Sequence, residues 1–298
     1  MAYAPQLDFK QFVARKKHEH VGGAPETAGH DYTYIADKQT REAFDKIRPV
    51  RVAMEAAVRV FNQVGKSQIL GSGVKVSERQ FPRIHALVRR SSDALQIAPP
   101  TVYIVNSPVM NAGAFGTADE SFIVLHSALI DYFDDEELLS VIGHESGHIH
   151  NQHAVYLTTL HYLTRMAGTV LWWVVEPALV ALRAWSRRAE ITCDRASLLC
   201  TGDEAPPRRA LAKLALGSKK LSEQLDIDAF LEQYEEGKLG YGRFTEAMVS
   251  HPYLPKRILS MRVFAESALY RKSVGLGDTG LAMNEVDDRV RALLKGDA

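Results

Sequence analysis

From residue 38 to about 63 apolar residues recur at helical spacing, with Phe44, Ile47, Val50, Met54, Ala57 and Val60 on one face. The pattern predicts one amphipathic helix carried through Pro49. Residues 69–76, Ile-Leu-Gly-Ser-Gly-Val-Lys-Val, read as a strand or hairpin, and 78–95 as a helix entered near Phe81-Pro82. Short apolar runs at 101–105 and 121–126 predict two strands. Beyond them the chain turns helical. One helix is predicted from about 135 to 164, then an apolar helix pair and a further helix to about 200, ended by Gly202-Asp203. Amphipathic helices fill 206–237, Pro252 and Pro255 mark a loop, and helices follow over 255–269 and 284–295. Residues 1–38 show little periodicity and read as a loosely ordered arm. The expected organisation is therefore an arm (1–38), a main domain (39–270) and a tail with one short helix (271–298), in a mostly helical α+β fold with a small mixed sheet.

Composition narrows the possibilities. The 298 residues hold 46% hydrophobic side chains, enough for a sizeable core. Lys plus Arg and Asp plus Glu both number 36, so nothing favours nucleic acid or an acidic polymer as partner. Cys193 and Cys200 form neither a metal ribbon nor a disulfide framework. With no apolar core near the N-terminus, the expected location is cytoplasmic. Residues 166–185 are the best membrane candidate, but a span needs about 20 mostly apolar residues. Glu176-Pro177 interrupts this run, and Arg165 and Arg183 bracket only 17 residues. A buried helix pair with peripheral membrane contact fits better than a span.

The chemistry concentrates at 141–150, Val-Ile-Gly-His-Glu-Ser-Gly-His-Ile-His. On a helix, His144 and His148 stand one above the other and can grip one metal ion, while Glu145 reaches a water beside it. The acidic run Asp134-Asp135-Glu136-Glu137 suits the positive end of that helix. A chance match on a surface helix is the competing reading, and a third ligand separates the two. A metzincin would place glycine at position 151 and histidine at 154, where this chain has Asn151 and Ala154. A deformylase-like site would draw a cysteine from upstream, and both cysteines lie downstream. Of the downstream carboxylates, Glu176 precedes a proline in an apolar run, whereas Glu190 sits in a good helical stretch with Asp194 one turn on. Glu190 is thus the expected ligand, and Asp194 the acid that orients a ligating imidazole. Alone, these acids and their neighbouring arginines would read as a solvated salt-bridged face.

Together these residues resemble the gluzincin peptidases of the HtpX and CaaX-prenyl-protease group. The resemblance covers roughly residues 70–265: Pro99 to Val105 is similar to the strand before the site, Asn111-Ala112-Gly113-Ala114-Phe115 to an Asn-Ala-Phe segment with one extra residue, and Ser121 to His126 to the strand ahead of the motif helix. His251-Pro252 with Arg257-Ile258 resembles the family's late His-Pro element. The resemblance implies a zinc endopeptidase with one Zn2+ per chain, a polypeptide substrate and a role in protein quality control. Glu145 would act as general base and His251 would stabilise the oxyanion, with Arg257 anchoring it or holding charge nearby. The substrate is expected to add as an antiparallel strand along 121–126, at Phe122 and Val124, with Asn111 tethering its other side. A zinc-holding protein that binds peptides without cutting is the alternative. A prenyl-protein protease ranks last, because the short apolar run cannot build a membrane chamber. His150 and His153 are expected to continue the motif helix and point away from His148, His126 to face solvent, and His161 to be packed.

Overall fold

Interior position and not edge position explains the unbroken apolar run at 122–125. In the computed structural model, β1 (Val74–Lys75), β2 (Thr101–Val105), β3 (Ala112–Gly116) and β4 (Ser121–His126) form a four-stranded sheet in the order β1-β2-β4-β3. β2 runs parallel to β4, while β1 and β3 are antiparallel to their neighbours. Ile123 and Leu125 enter the main core from one face of β4, and Phe122 and Val124 pack against Phe61 on the other. A strand covered on both faces has no need to alternate polar and apolar residues. The edges are β1 and β3, and β3 is a segment the sequence pattern did not mark as a strand. The described residues are 31–44, 46, 48–61, 66–117, 120–166, 172–236 and 254–295, all in one compact unit, Asp31–Ala298.

The helices follow the predicted periodicity with local corrections. Pro49 is not carried inside one long helix: α1 (Ile35–Phe44) ends and α2 (Arg48–Val60) begins, placing Pro49 in the first turn where its missing N–H costs nothing. The expected strand at 69–76 is mostly α3 (Lys66–Ser72), leaving only β1 extended. α4 (Pro82–Leu95) starts at the expected Phe81-Pro82 step. After α5 (Ser127–Tyr132), the motif helix α6 (Asp135–His150) stops short of 164, at Asn151, and α7 (Ala154–Met166) starts anew. Gln152 takes a left-handed φ of 58° in that break. α8 (Trp172–Thr201) runs unbroken past Glu176-Pro177, where a helix pair was expected. α9 (Ala205–Leu216), α10 (Lys219–Ser222), α11 (Ile227–Glu236), α12 (Leu254–Ala265), α13 (Ala268–Ser273) and α14 (Met283–Lys295) complete the order. Among the described residues no helix is long and apolar enough to cross a membrane.

The core is built around α6 and α8. Leu138, Leu139 and Ile142 of α6 share one cluster with Ile191 and Leu198 of α8, Leu87 of α4, Phe264 of α12 and Val290 of α14. Each such large apolar side chain, once enclosed, stabilises the fold by roughly 1.5–3 kcal/mol. Residues 283–295 therefore belong to the core and are not a peripheral tail. Likewise, the described end of the expected arm is packed: Tyr32, Tyr34 and Asp37 are all buried. A second cluster joins Phe44, Tyr156, Leu160, Leu179, Leu182 and Trp185.

Candidate metal centre

α6 begins with a reciprocal cap: Asp134 accepts the Glu137 N–H at 2.8 Å, and Glu137 accepts the Asp134 N–H at 3.0 Å. This cap sets the phase of a helix whose last turns carry His144, Glu145 and His148. Two glycines let α8 approach. A Cβ at Gly143 would stand 2.8 Å from Cys200 Cβ, and one at Gly147 only 2.7 Å from Ala196 Cβ. Only hydrogen at those two positions lets the helices close enough for Glu190 to reach the histidines.

Three donors from the two helices converge. His144 Nε2 lies 3.2 Å from His148 Nε2 and 3.4 Å from Glu190 Oε2, and His148 Nε2 lies 3.6 Å from Glu190 Oε1. Ligands about 2.0–2.2 Å from one tetrahedral ion stand about 3.3–3.6 Å apart, so this donor set fits a divalent metal. Two imidazoles and a carboxylate suit a borderline cation. Glu190 and His148 are almost fully buried, while the His144 side chain keeps 14% exposure and marks the open side. Glu145, on the turn between the histidines, is buried as well.

Asp194 and Arg257 surround the donors. Asp194 Oδ1 lies 3.2 Å from His144 Nδ1, which orients that ring, and Arg257 grips both Asp194 oxygens at 2.9 and 2.6 Å. Arg257 also reaches Glu190 Oε2 at 3.1 Å. Burial alone would lower the His144 pKa, but Glu190 and Asp194 outweigh it and push it up to about 10 in the metal-free protein. Burial lowers the His148 pKa, only partly offset by Glu190. Burial favours neutral Asp194, yet the Arg257 charge and hydrogen bonds hold its carboxyl below the ordinary value. Arg195, beside Asp194 in sequence, turns away to pair with Asp287 at 2.8 Å.

The expected substrate residues fare differently. Phe122 and Val124 are enclosed in the sheet, and β4 has partners on both sides, so no peptide can add to it. The sheet ends at β3, which packs against α6 and α7 and is tied to α7 by the Gly116 N–H donating to Thr158 Oγ1 at 3.1 Å. Asn111 is exposed where β3 begins, and its carbonyl accepts the His126 N–H at 3.0 Å. His251 lies outside the described residues. His126 is half-buried, its Nδ1 2.9 Å from the Val109 carbonyl, and His161 packs edge-on against Phe115 and Tyr162. His153 departs most from expectation. The turn after α6 folds it back into the interior, 3.2 Å from His148. The signal was Asn151, a residue that readily stops a helix.

A histidine pair on one helix, met by a carboxylate from a second helix and flanked by an edge strand of a small mixed sheet, defines a metallopeptidase domain. Residues 78–264, more than half of the chain, match Peptidase family M48, and the chain belongs to that family. It is 38% identical over 168 residues to the plastoglobule-localized metallopeptidase 48 of Arabidopsis thaliana, covering 55% of this chain and 49% of the relative. It is 30% identical over 191 residues to a protease HtpX homolog of Halobacterium salinarum, covering 56% of this chain and 66% of the relative. A protease HtpX homolog of Moorella thermoacetica is 27% identical over 223 residues, covering 63% of this chain and 74% of the relative. The chain thus spans about half of the plastoglobule relative and about two thirds of the Halobacterium one.

Proposed function

We propose that this protein is a zinc-dependent endopeptidase that cleaves extended polypeptide segments. The observation that carries the reading is the convergence of His144, His148 and Glu190 at 3.2–3.6 Å, with Glu145 beside them. A zinc ion held there would act as a Lewis acid on a carbonyl and bring the pKa of a bound water to about 7. The protein's own residues do the rest. Glu145 takes the proton from the attacking water and returns it to the leaving amine. Asp194 and Arg257 fix His144 and Glu190 and keep charge balanced near the reacting centre. His251, ahead of Arg257 in sequence, is assigned to the oxyanion.

In this reading the substrate adds as a strand to β3, the edge beside α6, and Asn111 borders that track. Main-chain pairing of this kind asks little of the substrate sequence, which suits unfolded chains and a part in quality control. Both cysteines are free and buried, which supports a reducing, cytoplasmic setting, with membrane contact through 166–185 at most peripheral.

The test compares wild type with Glu145→Gln for zinc content and cleavage of casein. Each protein is expected to hold one zinc per chain, with kcat lower in the variant by about 10²–10⁴-fold. Zinc without cleavage in either protein would favour a peptide-binding role, and equal cleavage by both would remove Glu145 as the base.

A further inference from the structure

Behind the metal centre a second chain of polar groups is fully enclosed. His148 turns its Nε2 toward His144 and Glu190, and its Nδ1 toward His153 Nδ1 at 3.2 Å. His153 has no exposed surface, and its Nε2 stands 3.0 Å from Asp37 Oδ2, approached obliquely. Asp37, from α1, is itself held fast: Trp185 Nε1 donates to Oδ1 at 2.8 Å and Thr192 Oγ1 to Oδ2 at 2.7 Å. The Trp185 ring packs edge-on against the His153 ring, with centroids 5.2 Å apart.

Proton accounting gives this chain one arrangement. A metal ligand must present a bare nitrogen, so His148 with Nε2 at the metal carries its proton on Nδ1. That N–H needs an acceptor, which makes His153 Nδ1 bare and puts the His153 proton on Nε2, where the Asp37 carboxylate stands. His148 Nδ1 then has an acceptor in His153 Nδ1, and His153 Nε2 faces the Asp37 carboxylate at 3.0 Å, close in charge though not aligned as a hydrogen bond.

From this geometry we infer that Asp37 and His153 form a positioning relay that locks the ring orientation and tautomer of His148 for metal binding. The relay links α1, far away in sequence, to the metal centre, and it rests on the metal-site reading above. Cys193 Sγ, 3.7 Å from His153 Nδ1, raises a competing arrangement in which His148, His153 and Cys193 hold a second ion. That arrangement would put an ion on each ring nitrogen of His148 and so strip both of its protons, turning a neutral imidazole into an imidazolate. The relay accounts for the same distances with ordinary protonation.

The test measures zinc affinity of the full chain by chelator competition, together with the visible spectrum of the cobalt form. His153→Phe keeps the bulk packed against Trp185 but offers no acceptor. His153→Gln restores an acceptor oxygen in a less apolar side chain. Asp37→Asn presents an N–H to His153 and so favours the wrong tautomer. Expected are losses of roughly 10–100-fold in zinc affinity for His153→Phe and Asp37→Asn, with a changed cobalt spectrum, and recovery to within a few-fold in His153→Gln. A packing role predicts the reverse order, with Phe better tolerated than Gln. That order, equal affinities in all variants, or equal losses in the two His153 variants would overturn the relay. So would two zinc ions per wild-type chain, the second lost in Cys193→Ser. Should His153→Phe fail to fold, Asp37→Asn against His153→Gln decides alone. Wild type without any zinc would sink the metal centre itself, an outcome distinct from zinc binding that ignores these substitutions.

Discussion

The two ends of α6 both bury charge, and they do so in opposite ways. At the N-terminal end Glu137 is enclosed, but it caps its own helix and meets Lys213 Nζ at 2.6 Å and Arg209 Nε at 3.2 Å. Donors face acceptors there and the account closes. At the C-terminal end His144, His148 and Glu190 turn lone pairs toward one another at 3.2–3.6 Å. Only a shared proton or a cation can sit among such groups. Burial by itself therefore does not mark a functional site; converging acceptors do.

The contrast breaks most sharply if charge is removed at the structural end. Lys213→Met leaves Glu137 buried with only Arg209 and the cap, and should cost about 3–5 kcal/mol of stability in denaturant unfolding. Zinc affinity of the folded variant should be unchanged, because α6 still presents its histidines. A variant that lost metal but kept its stability would show the two ends to be coupled.

At the other end, Asp194→Asn removes the carboxylate that orients His144 and frees Arg257 to compete for Glu190. Metal affinity should fall by roughly 10–100-fold, read by chelator competition. Stability of the metal-free protein should move less than in Lys213→Met.

The third effect is a proton. His144 rises from 6.5 to about 10 in the metal-free fold, so between those values the folded state keeps a proton that the unfolded chain has shed. Stability of the metal-free protein should therefore fall as pH rises from about 6.5 toward 10. The metal-loaded protein, with that imidazole unprotonated, should lack this slope. Zinc binding near pH 7.5 should release about one proton, measurable by calorimetry in buffers of different ionisation heat.

How much of this was legible in the chain follows from the range of each interaction. His144, Glu145 and His148 could be read directly, because their relation is set by one helical turn. The acidic start of α6 could be read for the same reason. Glu190 and Asp194 also share one helical face, but that α8 brings that face to α6 was reached by excluding other ligands and by resemblance. Gly143 and Gly147 carried the relevant hint, small residues one turn apart on the face that α8 meets. The sheet was harder. The run Phe122-Ile123-Val124-Leu125 announces a strand, and its lack of alternation was a sign that both faces are covered.

The sequence by itself determined the placing of His144, Glu145 and His148 on one helical turn, the helix that bears them and the mostly helical class, since these depend on contacts three or four residues apart. The tertiary structure alone decided that β4 lies inside the sheet with β3 at one edge, and that Val286 and Val290 of 283–295 join the core. It also decided that His153 and Asp37 stand behind His148. The last of these joins residues 5 and 116 positions apart, brought together by a helix stop at Asn151 and by Trp185 and Thr192 holding one carboxylate. Local periodicity carries no record of such partners, because which apolar faces meet is settled by how the whole chain packs.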